Sequence, residues 1–450
     1  MSSQFFRIDE HKIEGSHIRS FPRATATQQE EVLHLAVKQY TPLSNTSPKP
    51  GDITIIAAHA NAFPKELYEP LWDELLQTCK QYGFGIRGIW IADVAHQGWS
   101  GVLNEDKLGN DRMRIPSNYP LKKLLILTAA WLDHSRDLLN LVNIFRAQMP
   151  RPIVGIGHSM GGCQLANLAL LHPRLFETLI LVDPVIQGRV SLEGNVGPAA
   201  ASSKRRDCWP SREEAKKSFL KSKFYQAWDT RVLDRWVQHG LRDVPTKLFP
   251  DAKKPEVTLT TTKHQEVLTF LRSNFAAKPG DKEMSSAEAT LSNPKVNRRT
   301  HADLTPDVEP QSPFYRGEAT LVFSQLPAIR PSVFYVFGEL SFLTNDAVIE
   351  EKLTLTGSGV NGSGGRAEGR VDCVTVQGAG HLIPMEKVAE TAQHASKWIS
   401  KEMERYRDWE RKTEEEWDGK QGVARAVMPD RFVEELNAFL KPREKKPSKL

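Results

Sequence analysis

The sequence predicts an α/β fold, with a mostly parallel central sheet, helices on both faces and an inserted helical lid. Short β-branched runs recur along the chain, "ITIIAAHA", "PIVGIG", "ETLILVDPV", "SVFYVFGELS" and "RVDCVTVQGAGHLIP", and each ends in a polar loop. Segments with apolar residues at helical spacing lie between the early ones. Strands alternating with helices form a parallel sheet, because each crossover helix buries its apolar stripe on the sheet. The alternation stops from about 185 to 330 and then resumes, which marks an insertion.

In chain order, residues 1–50 read as an irregular arm with edge strands, closing in the Pro/Ser-rich "TPLSNTSPKPGD". Residues 51–184 hold the first part of the core. There "ITIIAAHA" runs into the loop "HANAFPKELYEPLWDELLQ", "GFGIRGIWIADVAHQGWS" is a strand and polar loop, and "WLDHSRDLLNLVNIF" is a helix. "PIVGIG", the helix of "GGCQLANLALLH" and "ETLILVDPV" complete it. Residues 185–330 form the lid, with one or two amphipathic helices in "REEAKKSFLKSKFYQAWDTRVLDRWVQHGL". The stretch 276–313 within it is rich in Ala, Ser, Pro and charge, and reads as disordered or loosely packed. Residues 331–400 supply the second part of the core. The Gly-rich 356–369 lacks GK[ST] and any GxGxxG match, so it reads as a flexible loop and not a phosphate cradle. Residues 401–450 are a charged helical tail. Trp398, Tyr406 and Trp409 are the aromatics that could dock the tail's helix against the body.

Composition narrows the function. Sixty Lys and Arg are nearly matched by 55 Asp and Glu, so a general nucleic-acid binder is not suggested. The four cysteines, Cys79, Cys163, Cys208 and Cys373, show no CxxC pair and no zinc spacing, which fits a reducing compartment and no metal. No run of about 20 uninterrupted apolar residues spans a bilayer, and the N-terminus lacks a signal-peptide core. A soluble protein without a cofactor is expected. The last three residues, Ser448, Lys449 and Leu450, form a peroxisomal address, so an import receptor is an expected partner and the peroxisomal matrix the expected site.

The chemistry centres on "GIGHSMGG". Gly157-His158-Ser159-Met160-Gly161 fits G-x-S-x-G between an apolar strand and an amphipathic helix, the context of a nucleophile elbow. A serine hydroxyl needs a base and a group that holds that base. His381, after the last strand in "VTVQGAGHLIPMEK", is placed to be the base. The oxyanion needs two N–H groups. Met160 at the helix start should give one, and Ala60 or Asn61 in "HANAF" the other. His59 either lines the pocket or shapes this loop, and no proton transfer is assigned to it. The acid is open between Asp183, at the end of "TLILVDP", and Glu339 in "GELS", where Ser341 stands at the usual acid position. Phe219, Phe224, Tyr225, Trp228 and Trp236 could line an apolar pocket or pack the lid onto the core.

Together with "AAHANAFPKELYEPLW", "GIWIADVAHQGWSGVLNEDKLGND", "WLDHSRDLLNLV" and "LILVDPVI", these residues resemble the α/β-hydrolase superfamily. They are similar to its fungal peroxisomal group of toxin-biosynthesis hydrolases and the yeast peroxisomal lipase. The resemblance covers most of 50–400. It implies a Ser-His-acid mechanism on Ser159 and His381, and the lid aromatics make a small apolar ester the expected substrate class. The alternatives are an acyl-CoA thioesterase or acyltransferase with the same triad, and a non-catalytic binding protein of this fold. Against the family pattern, 112–130 between "GND" and "WLDH" reads as an inserted segment such as a retained intron would encode.

Overall fold

A computed structural model describes residues 2–22, 24–109, 130–189, 192–252, 255–273, 301, 303–304, 313–343, 345–420 and 422–440. The inserted 112–129, most of 276–313 and the C-terminal Ser448-Lys449-Leu450 lie outside the described residues.

The first half of the chain builds six strands. β1 (Phe6–Glu14), β2 (His34–Pro42), β3 (Ile53–Ala58), β4 (Ile86–Ala92), β5 (Ile153–His158) and β6 (Thr178–Val182) are interleaved with α1 (Glu69–Cys79), α2 (Gly98–Leu103), α3 (Trp131–Ile144) and α4 (Met160–Leu171). The next part carries α5 (Leu192–Lys204), β7 (Cys208–Trp209), α6 (Arg212–Leu220), α7 (Lys223–Gln226), α8 (Thr230–His239), β8 (Leu241–Asp243), β9 (Val257–Leu259), α9 (Lys263–Phe270), β10 (Arg272–Ser273), β11 (Phe314–Tyr315) and α10 (Glu318–Gln325). The sheet resumes with β12 (Ser332–Gly338), α11 (Asp346–Leu355) and β13 (Val371–Val376), followed by α12 (Ile383–Glu386), α13 (Val388–Trp417) and α14 (Asp430–Leu440).

The central sheet has eight strands in the order β1-β2-β4-β3-β5-β6-β12-β13. All pairs from β4 to β13 are parallel, and β1-β2 and β2-β4 are antiparallel. The first fifty residues carry an edge strand, as expected, in β1, and a second nine-residue strand, β2, that lies inside the sheet, with an irregular stretch between them. β3, β5, β6 and β12 are buried along their whole length, which explains their continuous apolar runs. α4 is buried from Met160 to Ala169, so its small residues let it lie against the strands beneath.

The central 185–330 segment folds on local signals. Thr262 and Gln265 make a reciprocal capping box at the start of α9, and Ser211 caps α6. Trp228 and Trp236 are buried in a cluster with Phe63, at ring distances of 5.6 and 6.0 Å. The Asp229 N–H donates to the Met385 carbonyl at 2.8 Å. These contacts fasten the segment to the loop after β3 and to α12. The chain divides into two units, 1–403 and 404–450. In the first, Trp398 is buried, stacks on Phe334 and donates to Thr178 Oγ1 at 2.7 Å. In the second, the end of α13 and α14 present a largely exposed surface. No helix among the described residues is long and apolar enough to cross a membrane.

Candidate active site

Ser159 sits between β5 and α4 at φ 56°, a left-handed conformation that costs a non-glycine residue energy and must be held by its surroundings. The hold is visible: its N–H donates to the Val182 carbonyl at 2.9 Å, and its carbonyl accepts from Val185 N–H at 3.1 Å. The neighbouring glycines are required by space. A Cβ on Gly161 would stand 2.1 Å from the Ala58 carbonyl oxygen, and one on Gly157 would stand 2.6 Å from that of Gly161.

His381, from the loop after β13, brings Nε2 to 2.9 Å from Ser159 Oγ. Its Nδ1 donates to Asp183 Oδ2 at 2.5 Å. Asp183 is fully buried just past β6. The same Oδ2 accepts the Ser341 hydroxyl at 2.5 Å, and Oδ1 has no hydrogen-bond partner among the described residues. The buried Lys352 lies close enough for Asp183 to oppose a shift caused by burial, which brings its ammonium down to about 8. This arrangement lets Ser159 Oγ pass its proton to a neutral imidazole whose other nitrogen is held by a carboxylate.

Glu339 does not reach this array. It is exposed, and its Oε2 accepts from Gly378 N–H at 2.7 Å, so it braces the loop ahead of His381. β6 and β12 are neighbours, so both carboxylates follow adjacent strand ends and only side-chain direction separates them.

The N–H groups also sort themselves. Ala60 N–H donates to Tyr68 Oη at 2.8 Å and is thereby occupied, which corrects the expectation that Ala60 could face the oxyanion. Asn61 N–H and Met160 N–H have no acceptor among the described residues, and both residues line the cavity beside Ser159. Met160 opens α4, where unpaired N–H groups and the helix dipole favour a developing negative charge. The Asn61 side chain is clamped between Gln97 Nε2 at 2.7 Å and the Glu266 carbonyl at 3.1 Å, which fixes the loop.

His59 is fully buried and does not line the cavity. Its Nδ1–H donates to the Ala60 carbonyl at 2.8 Å and its Nε2 accepts from Val94 N–H at 2.9 Å, so it shapes the loop. Burial holds its pKa low. Trp228 and Trp236 likewise stand behind the wall, because they are spent on packing against Phe63. The wall itself comes from Phe63, Trp131, Phe224, Tyr225, Phe270 and Phe342 with aliphatic neighbours, around a cavity of about 710 Å³. Ser159 and His381 open into it. Such a volume suits a small molecule with an apolar body.

Two residues outside the expected set complete the picture. His158, inside the elbow motif, accepts from Tyr68 O–H at Nδ1 (2.9 Å) and donates from Nε2 to the His381 carbonyl (3.0 Å). Its presence in "GHSMG" was the available signal, but a motif does not say where a side chain points. Among the described residues no cluster of His, Cys, Asp and Glu could hold a metal.

Comparison with known proteins agrees with this architecture. Residues 55–394 match the alpha/beta hydrolase family. The chain is 44% identical over 438 residues to a type I acyl-CoA thioesterase, mpaH, of Penicillium brevicompactum, with 93% of each chain covered. It is 42% identical to the mpaH thioesterase of Penicillium roqueforti, again over 93% of each. It is also 29% identical to the abhydrolase domain-containing protein AFT2-1 of Alternaria alternata, over 56% of this chain and 85% of that one. Among solved structures, the peroxisomal alpha-beta-hydrolase Lpx1 of Saccharomyces cerevisiae aligns with a TM-score of 0.60 at 17% identity, covering 97% of both chains. Sheet order, elbow and these full-length matches lead to one conclusion: the chain belongs to the alpha/beta hydrolase family.

Proposed function

We propose that this protein is a serine thioesterase that hydrolyses an acyl-CoA with an apolar acyl group, using Ser159, His381 and Asp183. The observation that carries the reading is the hydrogen-bonded Ser159–His381–Asp183 array opening onto the apolar cavity. The likeness to proteins named acyl-CoA thioesterases, over 93–94% of each chain, supports a thioester among the possible acyl derivatives.

Ser159 Oγ attacks the thioester carbonyl as His381 Nε2 takes its proton. Asp183 holds the imidazole in the tautomer with hydrogen on Nδ1 and stabilises the imidazolium. Asn61 N–H and Met160 N–H receive the oxyanion. The C–S bond then breaks, and the departing thiolate takes the proton from His381. Water, activated by the same imidazole, releases the carboxylic acid and restores Ser159. The described helices α5, α7 and α9, which contribute to the cavity wall, act as the lid that encloses the acyl chain. Ser448-Lys449-Leu450, read as an import signal, supports the peroxisomal matrix as the place of the reaction.

Thiol release from acyl-CoA, measured beside hydrolysis of p-nitrophenyl esters and fluorophosphonate labelling, tests the reading. Labelling and thiol release that both vanish in Ser159→Ala support it. Ester hydrolysis without any thiol release contradicts the thioester assignment. A folded protein that does neither contradicts the enzymatic reading.

A further inference from the structure

The cavity wall includes Arg205 and Ser222. Each is flanked in sequence by two exposed cations, Lys204 and Arg206 around the first, Lys221 and Lys223 around the second. From Lys204 to Lys223 eight Lys and Arg face three Asp and Glu, which leaves +5 in this short stretch, equal to the formal charge of the whole chain.

The two stretches meet at one cavity, since Arg205 of the first and Ser222, Phe224 and Tyr225 of the second all line it. Phe224 is half exposed, so this part of the wall opens to solvent. On the inner side, Arg205 acts on the phenol of Tyr225, which also lines the cavity. Several cations of the stretch are already matched: Arg205 by Glu266 at 3.0 Å, Arg212 by Asp243 at 2.9 Å, Lys216 by Asp234 at 2.6 Å and Lys217 by Glu214 at 2.7 Å. Lys204, Lys221 and Lys223 have no ion-pair partner among the described residues.

We propose that Lys204, Arg206, Lys221 and Lys223 bind the phosphates of coenzyme A at the mouth of the cavity while the acyl chain occupies the apolar interior. This assignment rests on the thioesterase reading. An apolar cavity alone attracts a fatty acid, an ester and a thioester alike, so the carrier must be told apart by its own chemistry. A nucleotide diphosphate offers several negative charges at the end remote from the thioester. Exposed cations attract such charge over a Debye length of about 8 Å at physiological ionic strength, which speeds encounter and orients the ligand. Lysines suit this role as point charges on flexible stems.

The test compares one acyl group carried on coenzyme A and on pantetheine, which has the same thiol but no phosphate. The full-length chain, the pair Lys221→Glu/Lys223→Glu and the distant control Lys397→Glu are assayed by thiol release across ionic strength. The expected result is a preference of about tenfold in kcat/KM for the CoA thioester, expressed in KM, since two exposed ion pairs together reach that size. The preference falls towards one at high salt and in the double charge reversal, and persists in Lys397→Glu. Equal use of both thioesters, or a preference that survives the reversal, overturns this site while leaving the thioesterase reading in place. No turnover of either thioester overturns both.

Discussion

The ring of His158, the residue before the nucleophile, donates from Nε2 to the carbonyl of His381 at 3.0 Å. Its other nitrogen accepts from Tyr68 Oη, which in turn accepts from Ala60 N–H. One chain of hydrogen bonds thus joins the oxyanion loop, the elbow and the loop of the base. The chain needs His158 neutral, with hydrogen on Nε2. Burial first, and then the neighbouring His381, push His158 down to about 3, so it stays neutral through the working range.

Replacing His158 by Phe breaks both links without adding charge. The expected outcome is a fall in kcat of about 10²-fold with KM little changed, the size of loss that small misplacement of reacting groups produces. Tyr68→Phe keeps the ring and removes one link, and should lose less. A fall confined to KM would show that these residues serve substrate binding instead.

Asp183→Asn should lower kcat by about 10⁴-fold, because the amide favours the wrong imidazole tautomer. Glu339→Gln should stay within about twofold, since its carboxylate braces Gly378 and not His381. Steady-state kinetics on the two variants decide between the acids. The reverse ranking would contradict the assignment.

Ser341 donates to the same Asp183 oxygen that holds His381. Ser341→Ala removes one of the two bonds that orient this carboxylate, so kcat should fall by about tenfold with KM little changed, a loss that slight misplacement of a catalytic group produces. An unchanged kcat would show that Ser341 only fills space.

Several histidines are buried in the neutral state. Burial lowers His158 and His134 to about 3 and His239 to about 4, and also lowers His59 and His96. The unfolded chain binds protons near the ordinary value of about 6.5, while the folded one resists. These groups leave stability untouched above that value and erode it as pH falls towards about 4. Tm should therefore drop steadily between about pH 6.5 and pH 4.5, before most carboxylates titrate. A flat Tm across that window would contradict the buried-neutral description.

The sharp turn at Ser159 and the approach of His381 to it were legible because their signals are local: a serine between close-packed glycines, and a histidine just past a β run. Gly161 had to be glycine, since the Ala58 carbonyl leaves no room for a side chain. What stayed open depended on direction. Asp183 and Glu339 end adjacent strands, and neither spacing nor residue type tells which one turns inward. Ala60 and Asn61 are neighbours, and a phenol from Tyr68, eight residues away, decides whose N–H is left free. Edge strands were expected in the first fifty residues, but the bounds of β1 were not legible, because charge in "FRIDEHKIE" interrupts the apolar pattern that pairing with β2 completes.

The most direct test is to quench the full-length protein during turnover of a long-chain acyl-CoA and locate the acyl group by peptide mass spectrometry. The account predicts an acyl ester on Ser159 that accumulates in His381→Ala less than in wild type and is absent from Ser159→Ala. Thiol release with no adduct on Ser159, or with the acyl group on another residue, would contradict it.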